Sequence, residues 1–226
     1  MPVFSMEEEL VFPHPTLCEP DGLLAVGGSL SPARLLLAYR WGIYPWYSEG
    51  QPILWWWTVP RLMIRPEEIH VSRSMKNLLR KNDFLVAVDL NFVEVMKNCG
   101  AVPRKNQSGT WILSEMIEAY TALFNAGFAH SVEVWQNDKL VGGLYGIGLG
   151  KIFSGESMFA TVPNASKIAF IHLGKYLQNL GYEWIDCQQD TAHLRSMGAK
   201  LVSQDAFLEL LRKNQQAILH SPPSNR

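Results

Sequence analysis

An α+β fold is predicted for this chain: a small N-terminal domain rich in aromatic residues, then a larger domain with a central, largely antiparallel sheet flanked by helices. Two observations carry it. Residues 131–159, SVEVWQNDKLVGGLYGIGLGKIFSGESMF, alternate apolar and small or polar positions in the strand manner, with turns at Asn137-Asp138 and Gly148-Leu149-Gly150. On either side, SGTWILSEMIEAYTALFNAGFA and NASKIAFIHLGKYLQNLGY repeat their apolar residues at helical spacing. The division is placed at 1–62 and 63–226.

In chain order, YRWGIYPWYSEGQPILWWWTVPR (residues 39–61) concentrates Tyr39, Trp41, Tyr44, Trp46, Tyr47, Trp55, Trp56 and Trp57 among Gly and Pro. Core packing explains most of these rings, and one or two are expected to line a cleft, where flat rings suit stacking on bases. Within SRSMKNLLRK, Arg73, Lys76 and Arg80 fall at i, i+3 and i+7 on one helical face. Between Arg61 and Lys105 the cations outnumber the acids nine to five. Such a stripe suits phosphates, or is an ordinary solvated face.

A helix is expected over about 114–126, with Met116, Ile117, Tyr120, Leu123 and Phe124 on its apolar side, Ser114 as N-cap and Gly127 as its end. After the meander, an Asn164-capped helix carries Ile168, Ile171, Leu173 and Leu177 until Gly181. EWIDCQQ reads as a strand, TAHLRSMGA as a short helix, KLVS as a strand and QDAFLELLRKN as a last helix. Meander, helix, strand, helix, strand is the element order of a GNAT-type acyltransferase domain, so the second domain is read as GNAT-like. In that fold a Gly-rich turn and a helix N-terminus hold the coenzyme A pyrophosphate. Here the turn reads ATVPNASK, without glycine and with Pro163 lacking an N–H. Coenzyme A is therefore not expected as the donor, and no cofactor is expected at all.

With 226 residues, 47% of them hydrophobic, and a net charge of −1, the chain can bury a sizeable core. A wholly basic nucleic-acid-binding surface is excluded. Apolar runs fall short of the ~20 residues of a membrane span, and MPVFSMEEEL lacks a basic n-region. A cytoplasmic location and no membrane partner are expected. Cys18, Cys99 and Cys187 are widely spaced, which suggests reduced thiols and no metal site.

Several blocks then resemble one family: DGLLAVGGSLSPARLLLAYRWGIYPWY, ILWW, SRSMK, GTWI, HSVEVW, LVGGLYG, GESMF, NASK and IDCQ. Together, over residues 12–210, the chain resembles the bacterial leucyl/phenylalanyl-tRNA protein transferases. The resemblance implies transfer of leucine or phenylalanine, with methionine as a further candidate, from aminoacyl-tRNA to proteins beginning with Arg or Lys, marking them for degradation. It implies no coenzyme A. A monomer is expected.

The resemblance makes Asp186 and Gln188 the catalytic pair. A strand would point both to one face, where Asp186 orients Gln188 and Gln188 guides the incoming amine; the plainer reading is a strand-end Asp and Gln satisfying nearby backbone groups. Glu156, alone in IFSGESMF, is read as anchoring the amine of the aminoacyl group or as recognising the acceptor's Arg or Lys. Otherwise it is partly exposed, or paired with a base such as His130. Leu144, Phe153, Met158, Phe170, Leu173, Leu177 and Ile185 match the family's aminoacyl-pocket positions, although each also suits a core. Tyr39, Trp46, Trp111 and Tyr120 are candidates for stacking on or enclosing the terminal adenosine, and Arg73, Lys76, Arg80 and Lys81 for the acceptor-stem phosphates. Two rival readings are a coenzyme A dependent N-acetyltransferase and a noncatalytic RNA-binding module.

Overall fold

The structure, a computed structural model, describes residues 3–102 and 110–220. Arg104 and Lys105 of the basic segment, and the end of the ILHSPPSNR tail for which fraying is expected, lie outside the described residues.

Four short strands, β1 (Phe4–Met6), β2 (Leu23–Gly27), β3 (Tyr44–Pro45) and β4 (Leu54–Trp56), form an N-terminal sheet in the order β1-β2-β4-β3. Helix α1 (Pro32–Arg40) starts where Ser31 accepts the Arg34 backbone N–H and Pro32 presets the first turn. The indole N–H groups of Trp55, Trp56 and Trp57 donate to the carbonyls of Gly27, Trp46 and Trp41. Each ring thus packs its apolar body and satisfies its one donor.

The larger sheet runs β11-β5-β10-β9-β8-β7-β6. Its strands are β5 (Arg61–Ile64), β6 (Leu85–Val88), β7 (Ala129–Gln136), β8 (Lys139–Leu149), β9 (Ile152–Ala160), β10 (Trp184–Gln188) and β11 (Lys200–Val202). Among the described residues every pairing within this larger sheet is antiparallel except β9 with β10. Strand β5 begins at Arg61, so the sheet starts just ahead of the expected division at residue 63.

Helices cover both faces of this sheet. On one side lie α3 (Phe92–Ala101), α4 (Ser114–Asn125) and α7 (Gln204–His220), in a continuous core that joins Phe92, Tyr120, Tyr145, Phe159 and Phe207 to Tyr39, Trp55 and Trp57 of the N-terminal part. On the other lies α5 (Ala165–Asn179), packing Ile168, Phe170, Leu173 and Leu177 against Val132, Val134 and Phe153. The glycines of β8 permit that approach: a Cβ on Gly142 would stand 2.5 Å from that of Ala165. Helix α2 (Arg73–Arg80) and the short α6 (Ala192–Ser196) complete the architecture.

The predicted elements are all present, with three local corrections. The turn expected at Gly148-Leu149-Gly150 falls at Gly150-Lys151 instead, because Gly148 and Leu149 still pair with Phe153 and Ile152 within the β8–β9 hairpin. Helix α4 starts at Ser114 itself, after Leu113, so Ser114 does not cap it. Asn164 does precede α5, but it sits in the left-handed region (φ 71°) and its side chain makes no capping hydrogen bond. Short polar side chains tolerate that conformation. No helix among the described residues is long and apolar enough to cross a membrane.

Candidate active site at the fork of two parallel strands

The parallel ladder between β9 and β10 pairs Trp184 with Ile152, Ile185 with Phe153 and Asp186 with Ser154, and then stops. Beyond it a cavity of about 400 Å³ opens between Gly155–Met158 on one strand and Cys187–Gln189 on the other. That size suits a small organic group, for which sites of roughly 300–1,000 Å³ are usual.

Of the seven expected pocket residues, Leu144, Met158, Phe170, Leu173 and Ile185 line this cavity. Phe153 and Leu177 do not. Both are fully buried in the core beneath α5, and Phe153 meets the Tyr182 ring edge-on. They fill the layer under the pocket, because apolar spacing is the same for a pocket floor and for the core behind it.

Trp46 and Trp111 line the cavity, whereas Tyr39 and Tyr120 lie in the core beside it. This corrects the stacking expectation for the two tyrosines: their rings meet edge to face, and their hydroxyls are hydrogen-bonded to each other. Burial, with the Glu156 charge next, pushes both phenols well up, so they remain donors. Tyr44, one of the clustered aromatics expected to reach a cleft, lines the cavity as well, as do Tyr145, Ser157, Thr191, His193 and Leu194, which were not singled out from the sequence.

Glu156 stands on the cavity wall. Its Oε1 accepts from Gln188 Nε2 at 2.9 Å and its Oε2 from the Tyr120 hydroxyl at 3.2 Å. Burial pushes the carboxyl up, the hydroxyls of Tyr39 and Tyr120 and the Gln188 amide pull it back, and the Asp186 charge adds to the rise; the balance is about 7. Among the described residues no basic side chain is hydrogen-bonded to it. His130, the alternative partner, instead places Nδ1 2.8 Å from Asp89 Oδ2.

Asp186 is buried and faces Arg61. The Arg61 Nε donates to Oδ1 and Nη2 to Oδ2, both at 2.8 Å. Burial alone would lower the guanidinium, yet Asp186 outweighs it and pushes Arg61 up. The Gln188 backbone N–H donates to the same Oδ1 at 2.8 Å. Here the structure departs from a regular strand. Pairing with β5 shifts register between Asp186 and Gln188, and Gln188 is left-handed at φ 58°, a conformation uncommon for a residue with a side chain. Asp186 therefore holds Gln188 through the main chain, and the Gln188 amide reaches Glu156 rather than Asp186.

Cys187 is also on the wall; burial first, and then Asp186, push its thiol up, which disfavours the thiolate a nucleophile needs. His193 is held low by burial and by Lys167. Among the described residues no cluster of three or more His, Cys, Asp or Glu is placed for a metal ion.

Helix α2 projects Arg73, Lys76 and Arg80, followed by Lys81, all exposed. Ser72 caps it by accepting the Met75 N–H. Leu78 and Leu79 border a second hollow with Ile168, His172 and Lys175 of α5. His172 and Lys175 lie on the side of α5 away from Phe170 and Leu173, so the hollow beside the basic helix is separate from the fork.

A family model described as "Leucyl/phenylalanyl-tRNA protein transferase" matches residues 63–212, and that of its N-terminal domain matches residues 28–57. The chain belongs to this family. Relatives named leucyl/phenylalanyl-tRNA–protein transferase include one from Maridesulfovibrio salexigens, 53% identical over 93% of this chain and 88% of that protein. Another, from Syntrophobacter fumaroxidans, is 52% identical over 97% and 94%. Membership places the chain among the aminoacyltransferases. Fainter similarity in shape extends to an aminoglycoside acetyltransferase from an uncultured soil metagenomic sample, 16% identical with a TM-score of 0.38 over 64% of this chain and 91% of that one. A further one is L-PGS from Bacillus licheniformis, 12% identical with a TM-score of 0.42 over 67% and 55%.

Proposed function

We propose that this protein, acting as a monomer in the cytoplasm, moves leucine or phenylalanine from its tRNA to the α-amine of proteins that begin with Arg or Lys. An aromatic-rich unit (1–62) and an acyltransferase unit (63–226) build the site together. The observation that carries the reading is the fork: an apolar floor of Leu144, Met158, Phe170, Leu173 and Ile185 next to the linked polar groups of Gln188 and Glu156. An apolar slot sorts side chains by shape, and Met158 adapts to a branched or an aromatic one.

The donor ester is already activated. The acceptor nitrogen adds to its carbonyl carbon, the bond to the ribose oxygen breaks, and the proton lost by nitrogen is made up on the departing oxygen through solvent or side chains. Orientation can supply much of the rate, since an α-amine with a pKa near 8 is partly neutral at pH 7. Gln188 guides the incoming amine. Glu156, when ionised, holds either the ammonium of the aminoacyl group or the basic side chain of the acceptor. Trp46 and Trp111 stack on the terminal adenosine, a contact that needs no base-specific reading. Acceptor-stem phosphates meet Arg73, Lys76, Arg80 and Lys81.

The test is incubation with leucyl-tRNA and a peptide beginning with Arg, beside one beginning with Asp. Leucine on the first peptide only is the expected result; acetylation from acetyl-coenzyme A, or leucine on neither peptide, would overturn the reading. For the basic helix, the paired change Arg73→Ala and Arg80→Ala should weaken charged-tRNA binding. It should also flatten the dependence of log Kd on log salt by about 1–2. Titrations at several salt concentrations check this, and an unchanged slope rejects the phosphate role.

A further inference from the structure

Arg61 lies outside the cavity, yet three of its contacts converge on the residues that shape it. The guanidinium grips both oxygens of Asp186. Nη2 also donates to the Gly42 carbonyl at 2.9 Å, and the group lies 5.1 Å from the centroid of the Tyr44 ring and 4.8 Å from that of Phe207. Gly42 and Tyr44 belong to the N-terminal part, Tyr44 lining the cavity as well, while Phe207 belongs to α7. At 1% exposure Arg61 has no route to substrate, so whatever it does passes through its partners.

We propose that Arg61 is a positioning residue for transfer: by fixing Asp186 it keeps Gln188 in its left-handed turn with the amide on Glu156, and it ties that geometry to the N-terminal sheet. The physical reason is directional. A left-handed, non-glycine residue at a strand end persists only where its surroundings hold it, and the hold here is one carboxylate oxygen accepting the Gln188 N–H. That oxygen is aimed only while its carboxylate is clamped from the other side. A bidentate guanidinium fixes both the plane and the rotation of a carboxylate, which an ammonium on a flexible stem does not. The tie to Gly42 means that displacement of the N-terminal sheet, where Tyr44 and Trp46 line the cavity, reaches the Gln188 amide through two side chains. Removing the Arg61 charge also pushes Glu156 up: a cation that favours its carboxylate is lost, the Gln188 amide that lowers it is released, and the Asp186 charge that raises it is left uncompensated.

This rests on the transfer reaction proposed above, and the test separates the two. Arg61→Lys and Arg61→Gln are each made alone and in a Gln188→Ala background, and kcat and KM for leucyl-tRNA are measured with the Arg peptide. Arg61→Lys is expected to lower kcat at least about tenfold with KM within about threefold, and to change kcat by less than about threefold once Gln188 is Ala, because acting through a shared partner is non-additive. In Arg61→Gln the kcat limb near pH 7 should move upward. A wild-type kcat in Arg61→Lys, or an equal loss in both backgrounds, overturns the proposal. Inactive wild-type protein overturns the transfer reading instead. A crystal structure of the Arg61→Lys chain then reads the positioning claim without activity: Gln188 released from φ near 60° supports it, and Gln188 still left-handed on Glu156 overturns it.

Discussion

Glu156→Gln should lower kcat for leucine transfer by roughly a hundredfold, the scale of losing one preorganised electrostatic contact, and should remove the pH dependence around neutrality. Glu156 titrates near 7 because burial outweighs the hydroxyls and amide that stabilise its charge. In the wild-type protein kcat should therefore rise between about pH 6 and 8 as the carboxylate forms. Glutamine keeps the size and the acceptor oxygen but cannot carry the charge. A variant with wild-type kcat and the same rising limb would show that the ionised carboxylate has no part in transfer.

The same shift makes an opposite statement about stability. An acid whose folded value lies above its ordinary 4.5 binds more protons when folded. Its contribution to stability is complete below about 4.5, falls as pH climbs, and is a full cost above about 7. Glu156→Gln should accordingly be more stable than wild type at pH 8, on the order of 2 kcal/mol after discounting for the solvent in the cavity, with the difference vanishing near pH 4.5. Urea titrations at the two pH values check this. Lower activity with greater stability is the signature of a group kept for function.

Periodicity carried much of this far. The turn at Asn137-Asp138 separates β7 from β8 as read from the sequence, the next turn comes two residues later than its first expected glycine, and Met116, Tyr120 and Leu123 are buried at their helical spacing. Five of seven apolar pocket residues were legible because the three strands and one helix that carry them, β8, β9, β10 and α5, could be ordered from the chain. Phe153 and Leu177 were not separable from them: pocket floor and core share one alphabet, and even paired neighbours part company, Ile185 lining the cavity while its ladder partner Phe153 is buried in the core. Tyr39 and Tyr120 failed as stacking platforms because a buried phenol seeks a partner for its hydroxyl, and here the two find each other and Glu156. The Arg61–Asp186 pair spans 125 positions. No local pattern reports a contact that distant, and Arg61 read simply as one more cation in a basic segment. A left-handed glutamine is equally silent in sequence, since glycine is the residue that announces such a turn.

Asp186→Ala should be the most destabilising single change at the site. It leaves the Arg61 guanidinium buried without its anion, for which about 3–5 kcal/mol is the usual cost. In a chain of 226 residues that is a fall in Tm of roughly 10 °C. Asp186→Asn gains little over alanine, because one of its two atoms becomes a donor facing an Arg61 N–H. The informative companion is the double change Asp186→Leu with Arg61→Met, since a well-packed apolar pair often replaces a buried ion pair without loss. Thermal unfolding should show that pair recovering most of the lost Tm, while leucine transfer stays depressed: no acceptor remains for the Gln188 N–H, and nothing turns its amide toward Glu156. Activity returning with stability would mean that Asp186 serves the core alone.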